Sequence, residues 1–361
     1  MSSTPPRKPR GGCDRAKHLR PASGRAAHYQ RRLGLWVGRD RTSPELRSDW
    51  LDLSPAERDD YDDARLDYHS DLIVVNTPTI QDIAKTVRRL LILNRRQISA
   101  RRGLIVTGGA GTGKTTALTQ LGLAHELSTR SRYPFRGPRI PVVYITLPPA
   151  ATARMVAVEF ARFLGLPTTG RANLTDITNS VCAVLCDVGC DLVLVDEIHN
   201  ISLTTRSGAE VSDQLKYFSE RIPATFVYAG IDVDHAGLFS GIRGSQIASR
   251  FATIATRPFA YGSSQQRQHW QALVITLEQA IRLHKHRPGG LTRHSRYLYQ
   301  RTNGMLGSLS HLIRGAAIDA ILDGSERITK AHMEAQKLDH AADSQPPSPP
   351  GSRPARRKGV A

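Results

Sequence analysis

The sequence predicts an α/β fold in which helices cover both faces of a parallel sheet and a helical region follows. Two observations lead to this prediction. Short, continuous apolar segments alternate with helical stretches between residues 75 and 259, which is typical of parallel strands buried on both faces. Beyond residue 260 the strand-like segments stop, and apolar residues continue at helical spacing to about residue 340.

Each element follows from its local pattern. Apolar runs predict five strands, at residues 103–107, 141–147, 191–195, 224–229 and 252–256. Helical spacing predicts helices between them over 115–126, 151–165, 175–188 and 209–221, and at the carboxyl end over 263–285, 292–302, 307–323 and 328–340. Thr77 can cap a helix that starts at Pro78, and residues 54–57 (SPAE) resemble another helix start.

Composition limits the class of protein. The 361 residues are 40% hydrophobic, enough for a core, and carry 50 Lys and Arg against 32 Asp and Glu, a net charge of +18. Such a charge favours a polyanionic partner such as nucleic acid. No apolar run approaches the roughly 20 residues that span a bilayer, and no signal peptide is visible. We therefore expect a soluble, cytoplasmic protein with no membrane partner.

The charge divides the chain. Residues 1–44 read as a flexible basic arm, and the acidic residues 45–74 as a helical extension. That extension is either a solvated helical face or a docking surface for a basic partner or a neighbouring subunit. Residues 75–259 form the predicted core, 260–340 a helical lid, and 341–361 a disordered, proline-rich basic tail.

Residues 108–115 read GGAGTGKT, directly after the first predicted strand and before a helix, which is the context of a phosphate-binding loop. Glycines let backbone N–H groups face an anion at the amino end of a helix. Lys114 can reach the outer phosphates, and the Thr115 hydroxyl can ligate Mg²⁺. A chance glycine turn is the alternative. The predicted nucleotide-binding residues are Gly108, Gly109, Ala110, Gly111, Thr112, Gly113, Lys114, Thr115 and Thr116.

The third predicted strand ends in two carboxylates, Asp196 and Glu197. We expect Asp196 to hold Mg²⁺ through a water and Glu197 to polarise the water that attacks the γ-phosphate, since a second carboxylate suits hydrolysis as well as binding. A strand that ends in two surface acids is the alternative. Together the motifs indicate an ATPase or GTPase, and the lack of a guanine-selecting Asn-Lys-x-Asp favours ATP. Nearby His199 either couples the nucleotide state to a partner-facing loop or is a structural histidine.

These motifs, with the five strands and the helical lid, resemble the AAA+ class of P-loop NTPases. Over roughly residues 50–340 the chain is similar to the TniB/TnsC-type ATP-binding proteins of transposons. The similarity rests on RGLIVTG (102–108) with the phosphate loop, DEIHN (196–200), QIASRF (246–251) and TNGMLGSLSHL (302–312). It implies ATP and Mg²⁺ as cofactors, ATP-dependent assembly on target DNA, and recruitment or activation of a DDE transposase.

Arg250 stands just before the fifth strand, where the resemblance implies an arginine finger that reaches a neighbouring subunit's γ-phosphate. Arg243 is a second candidate, and a surface arginine is the alternative for both. A finger of this kind requires a homo-oligomer, a ring or a filament. The sequence departs from the family pattern in two places. Where many AAA+ proteins carry Asn, Ser or Thr after the fourth strand to orient the attacking water, the nearest polar residue here is Asp232. Where the lid of the family has Gly-x-x-Arg, residues 307–310 read GSLS and the next arginine is Arg314, so Asp232 and Arg314 are the candidate sensor residues. Both departures imply slow hydrolysis.

Basic clusters predict contacts to the DNA backbone that tolerate any sequence and weaken with salt. In AAA+ assemblies the segments after the second and third strands face a central channel, which makes Arg154 and Arg206 the preferred contacts. Arg130 and Arg132 are further candidates, and surface arginine is again the alternative.

Three functions fit the sequence. The first is an ATP-gated DNA-assembly factor for transposition, whose slow turnover DNA or the partner stimulates. The second is a replication initiator or helicase loader on the same scaffold. The third, of another class, is a nucleotide-bound signalling or scaffold protein, in which DNA would not stimulate turnover.

Overall fold

A computed structural model describes residues 43–71, 74–133, 139–168, 172–201, 206–233 and 249–338. The proline-rich tail and all but the last two residues of the predicted basic arm lie outside these ranges, as does Arg243. Within them the chain forms five strands and ten α-helices, so the predicted α/β fold with carboxyl-terminal helices is confirmed.

The strands are β1 (Gly103–Thr107), β2 (Val142–Thr146), β3 (Leu192–Asp196), β4 (Thr225–Gly230) and β5 (Phe251–Ala255). The helices up to β5 are α1 (Pro55–Ser70), α2 (Pro78–Asn94), α3 (Lys114–Arg132), α4 (Ala153–Phe163), α5 (Leu174–Asp187) and α6 (Arg206–Arg221). The helices after it are α7 (Ser264–Gln279), α8 (Ser295–Thr302), α9 (Leu306–Leu322) and α10 (Lys330–Ala335). No helix of the described ranges is both long enough and apolar enough to cross a bilayer.

The five strands form one parallel sheet in the order β2-β3-β4-β1-β5. β1 lies between β4 and β5, with Leu104 opposite Val227 and Ala252. Because the strands are parallel, their carboxyl ends meet at one edge of the sheet. The loop after β1 and the acids that end β3 therefore face the same side of the molecule.

The sheet is buried on both faces, as the continuous apolar strands predict. Side chains alternate along β1: Leu104 and Val106 pack with α2 and α3, whereas Ile105 packs with α4, α5 and α6. The carboxyl-terminal helices form a separate apolar cluster around Trp270, which is fully buried. This cluster is the helical lid. The residues at which the chain divides into arm, extension, core, lid and tail stay a prediction.

Two lid helices are shorter than the sequence predicts. Helix α7 ends at Gln279 rather than near residue 285, because the carboxylate of Glu278 accepts hydrogen bonds from the backbone N–H groups of Gly289 (3.1 Å) and Leu291 (2.7 Å) and so holds a compact turn there. Helix α10 ends before Gln336, which has an extended backbone. At α7 a polar contact to a later turn ends a helix whose local pattern would allow it to continue.

Helix α1 packs on the lid through a buried ion pair. Arg65 donates two hydrogen bonds to Glu326, at 2.7 and 2.8 Å, and both side chains are completely buried. The outward face of the helix carries exposed aspartates at positions 59, 60, 63 and 67. These acids are solvated within the chain, and their use as a docking surface stays a prediction.

Candidate nucleotide-binding site

The phosphate loop joins β1 to α3 at the carboxyl edge of the sheet. Gly113, directly before α3, has φ of 90°, a left-handed conformation that favours glycine. At Gly108 a Cβ would lie 2.3 Å from the backbone oxygen of Thr256, so only glycine permits this approach. The nine residues predicted to bind nucleotide lie in this loop and in the first turn of α3.

Lys114 is buried at the centre of the loop. Its ammonium donates hydrogen bonds to the carbonyl oxygens of Gly108 (2.8 Å) and Gly109 (2.7 Å). Burial lowers the pKa of Lys114, while the carboxylates of Glu197 and Asp196 oppose that shift. The ammonium is therefore held beside the loop by groups that a bound polyphosphate can replace.

Asp196, at the end of β3, is a buried carboxylate that gathers three donors. The Thr115 hydroxyl donates to its Oδ2 atom at 2.7 Å and the Tyr144 hydroxyl donates to the same atom at 3.0 Å. The backbone N–H of Glu197 donates to its Oδ1 atom at 2.9 Å. Burial raises the pKa of the Tyr144 phenol, so this group stays a neutral donor.

The Thr115 and Asp196 oxygens fit a magnesium ion. Mg²⁺ binds hard oxygen ligands and keeps several waters, so one hydroxyl and one carboxylate beside a phosphate site are a suitable set. The Thr115 hydroxyl already contacts the Asp196 carboxylate, which brings together the two residues that the sequence assigns to the ion.

Glu197 follows β3 with φ of 59°, a left-handed conformation that is uncommon for a residue with a side chain. Its carboxylate lies 3.2 Å from Nε2 of His199, and it lines the same cavity as Lys114. The two acids at the end of β3 thus point to different tasks: Asp196 toward Thr115, and Glu197 toward the cavity and His199.

A cavity of about 270 Å³ lies between the phosphate loop and the lid. The Ser310 side chain, on α9, is 2% exposed, and its hydroxyl has no hydrogen-bond partner within the described ranges. The backbone N–H of Gly307 reaches the carbonyl oxygen of Gly111 at 3.4 Å, so the lid touches the loop directly. The cavity is lined by Val74, Val75, Ala110, Gly111, Gly113, Lys114, Thr115, Thr116, Glu197, Ile231, Leu306, Gly307 and Ser310.

Several contributors to this site were not identified from the sequence. Tyr144 is the one aromatic residue in strand β2 (VVYIT), a signal that a polar partner lies nearby. Ser310 occupies the fourth position of the Gly-x-x-Arg pattern, so the pattern could have directed attention to it. The apolar pair Val74 and Val75 gave no signal, because only the packing of the lid brings it to the cavity.

Arg250 lies at the opposite edge of the sheet from the phosphate loop. It directly precedes β5, and its carbonyl oxygen accepts a hydrogen bond from the N–H of Gly103 at the start of β1 (3.0 Å). A five-residue strand at about 3.3 Å per residue separates it from the loop of its own chain by roughly 15 Å. Its guanidinium pairs with Glu220, and both side chains are about one-third exposed. It does not reach its own nucleotide site, and its action on a neighbour stays a prediction.

The two candidate sensor residues are placed differently. Asp232 follows β4 with φ of 45°, and its carboxylate acts on Lys114 in the direction that raises the pKa of that ammonium. The Arg314 guanidinium donates to the backbone carbonyl oxygens of His69 (2.9 Å) and Ser70 at the end of α1. It therefore faces α1.

The four arginines predicted to contact DNA lie at two opposite edges of the sheet. Arg154 is exposed at the start of α4, on the carboxyl edge, and donates to the carbonyl oxygen of Ala172 at 2.6 Å. Arg206 begins α6 at the same edge, and its side chain is outside the described structure. Arg130 and Arg132 lie in the last turn of α3, at the opposite edge. The structure thus separates the four arginines into two pairs.

Comparison with known proteins supplies a family and a fold. A family model described as bacterial TniB protein matches residues 65–261. No curated protein matches the chain. The ORC1 protein of Aeropyrum pernix, solved in complex with DNA, is 17% identical, with a TM-score of 0.54 over 77% of this chain and 67% of that chain. The ORC2 protein of the same organism, solved with ADPNP and ADP, is 17% identical, with a TM-score of 0.56 over 75% and 70%. At this identity the likeness shows a shared fold, that of the AAA+ P-loop ATPases.

Proposed function

The chain belongs to the bacterial TniB family and has the AAA+ P-loop ATPase fold, and on this premise we propose that it is a slow ATPase that assembles on duplex DNA and recruits or activates a transposase. One observation carries the proposal. The phosphate loop, the Thr115–Asp196 pair, Glu197 and the lid converge on a single cavity.

Nucleotide binding uses the loop and Lys114. The amides of the loop and the amino end of α3 face the phosphates, and Lys114 exchanges its two carbonyl acceptors for phosphate oxygens. Thr115 and Asp196 would hold Mg²⁺, which would supply positive charge beside the phosphates. The apolar side chains of Val75 and Ile231 line the remainder of the cavity and suit a base better than a sugar or a phosphate.

Hydrolysis uses Glu197. Its carboxylate lines the cavity as an acceptor that can orient a water and withdraw its proton, whereas Asp196 is occupied by three donors. The lid carries Ser310 where the family pattern has an arginine, so the site lacks one positive charge that would stabilise the transition state of hydrolysis. The missing arginine predicts slow turnover, which suits a switch that DNA or a partner accelerates.

Assembly uses two surfaces. Arg250 faces away from its own nucleotide at the far edge of the sheet, which suits a finger that completes a neighbour's site in a ring or filament. The net charge of +18 favours DNA, with Arg154 and Arg206 at one edge as the preferred contacts and Arg130 and Arg132 as further ones. A cytoplasmic location stays a prediction.

A second candidate is a replication initiator or helicase loader, which the fold shared with the ORC1 protein favours. The TniB match favours transposition instead. The partner distinguishes the two candidate functions. Transposition predicts that a DDE transposase binds the ATP-bound protein and changes its ATP turnover, and replication predicts the same of a replicative helicase.

The direct test compares two substitutions at the cavity. Lys114→Ala should lower ATP affinity by at least about 100-fold, because the main phosphate cation is lost. Glu197→Gln should bind ATP as the unchanged protein does and lose at least about 100-fold in turnover. Equilibrium binding of a fluorescent ATP analogue and phosphate release measure the two effects. Retained affinity in the first variant would refute the phosphate site, and unchanged turnover in the second would remove Glu197 from the reaction.

A further inference from the structure

The carboxylate of Glu197 is about one-third exposed and has a histidine beside it. The residue sits at the start of a short 3₁₀ turn, Ile198–Asn200, in a left-handed conformation that fixes where its side chain emerges. Its Oε2 atom lies 3.2 Å from Nε2 of His199. A catalytic carboxylate must present a defined oxygen to a water, so a group this close to Oε2 can influence its orientation.

His199 makes a second contact, which defines its tautomer. The backbone N–H of Ile231, just after β4, donates to Nδ1 of His199 at 3.3 Å, so Nδ1 is the acceptor of a neutral ring. A neutral ring that accepts at Nδ1 carries its proton on Nε2, the nitrogen that lies 3.2 Å from the Glu197 carboxylate. The ring is therefore a bridge with one acceptor and one donor between the carboxylate and the segment that follows β4.

The turn that carries His199 is seated firmly on its neighbours. A Cβ at Gly230 would lie 2.7 Å from Cγ2 of Ile198 and 3.0 Å from the backbone nitrogen of His199, so a glycine at the end of β4 lets the turn approach. On the other side, the Asn200 amide donates to the carbonyl oxygen of Leu147 after β2 at 2.8 Å. His199 itself is about one-quarter exposed, so it is not an ordinary core side chain.

We propose that His199 is a positioning residue that orients Glu197 and links it to the segment after β4. By donating to Oε2, the ring leaves the other oxygen of the carboxylate turned to the cavity for the attacking water. The segment after β4 also lines the nucleotide site through Ile231, so a shift there moves the ring and with it the carboxylate. This inference rests on the catalytic role proposed for Glu197.

Two conservative substitutions separate the two contacts of the ring. The Asn side chain places an acceptor where Nδ1 stands and loses the donor to Glu197, whereas the Gln side chain places its amide where Nε2 stands and keeps that donor. His199→Asn should lower kcat by about 10-fold or more, because hydrogen bonds to charged groups contribute that much. His199→Gln should stay within about threefold of the unchanged protein. ATP affinity should stay within about twofold in both.

The controls distinguish positioning from folding. His125→Asn removes a histidine paired to Asp191 at the far edge of the sheet and should leave turnover unchanged. Since His199 acts through Glu197, the double variant Glu197→Gln, His199→Asn should turn over no more slowly than Glu197→Gln alone. Turnover of His199→Asn equal to that of the unchanged protein would overturn the inference. So would equal losses in the Asn and Gln variants accompanied by equal losses in Tm, because a purely structural histidine predicts that result.

Failure of the proposed function gives a different result. If Glu197→Gln turns over normally, the role of Glu197 is wrong whatever the His199 variants do. If Glu197→Gln is inactive and His199→Asn is fully active, only the positioning role is wrong.

Discussion

At the scale of single residues, His69 links the stability of the fold to pH. It is buried in the last turn of α1, and its Nε2 atom accepts a hydrogen bond from the backbone N–H of Arg282 at 3.2 Å. Burial, assisted by the positive charges of Arg65 and Arg282, lowers its pKa to about 4. A proton on Nε2 would break the hydrogen bond and place a charge among arginines.

The sign of the effect follows from linkage. The unfolded chain binds a proton at His69 near pH 6.5, and the folded chain only near pH 4, so stability falls as pH drops between these values. We expect the unchanged protein to lose about 2 kcal/mol more than His69→Gln between pH 6.5 and 4.5, because Gln can accept the same hydrogen bond without titrating. Urea unfolding across this range measures the difference, and parallel curves for the two proteins would contradict it.

At the same scale, the sequence predicts the site residues that belong to a short local motif. Lys114, Thr115, Asp196 and Glu197 follow from fixed spacings beside apolar strands. The sequence does not predict the partners that reach these residues from other elements. Tyr144 and Asp196 are 52 positions apart, and only the pairing of β2 with β3 brings them together. Side-chain contacts between elements depend on packing, which no local pattern encodes.

At the scale of elements, helix starts are predicted well because their capping is local. Thr77 accepts the N–H of Ile80 at 3.3 Å, with Pro78 in the first turn, and residues 54–57 form a capping box. Helix ends in the lid are predicted poorly, since α7 stops where Glu278 gathers backbone N–H groups from a later turn. The acidic sequence of α1 likewise gave no indication that it docks on the lid.

The buried Arg65–Glu326 ion pair is one of several contacts that hold α1 on the lid. Glu326→Gln should destabilise the fold by about 1–3 kcal/mol, because Arg65 then loses two buried charge-assisted hydrogen bonds and keeps only Asp62 as an ionic partner. Glu334→Gln is the matched control: its partner Lys330 lies at 3.2 Å with both side chains more than half exposed, so its effect should be far smaller. Urea unfolding measures both variants, and equal losses would show that the buried pair adds nothing special.

At the scale of the whole molecule, the two edges of the sheet have different chemistry. The carboxyl edge carries the nucleotide cavity, and the opposite edge carries Arg250 with its partner Glu220. If Arg250 acts on the nucleotide of another copy, as proposed, the subunits must meet through head-to-tail contacts that close as a ring or continue as a filament.

The most direct test of this account is sedimentation of the full-length protein with duplex DNA, with and without a non-hydrolysable ATP analogue. The account predicts large protein–DNA assemblies only when the analogue is present, steeply weakened between low and physiological salt. Lys114→Ala should abolish them, and Arg250→Ala should bind the analogue normally but assemble poorly. A protein that sediments as a single copy and ignores DNA in both conditions would contradict it.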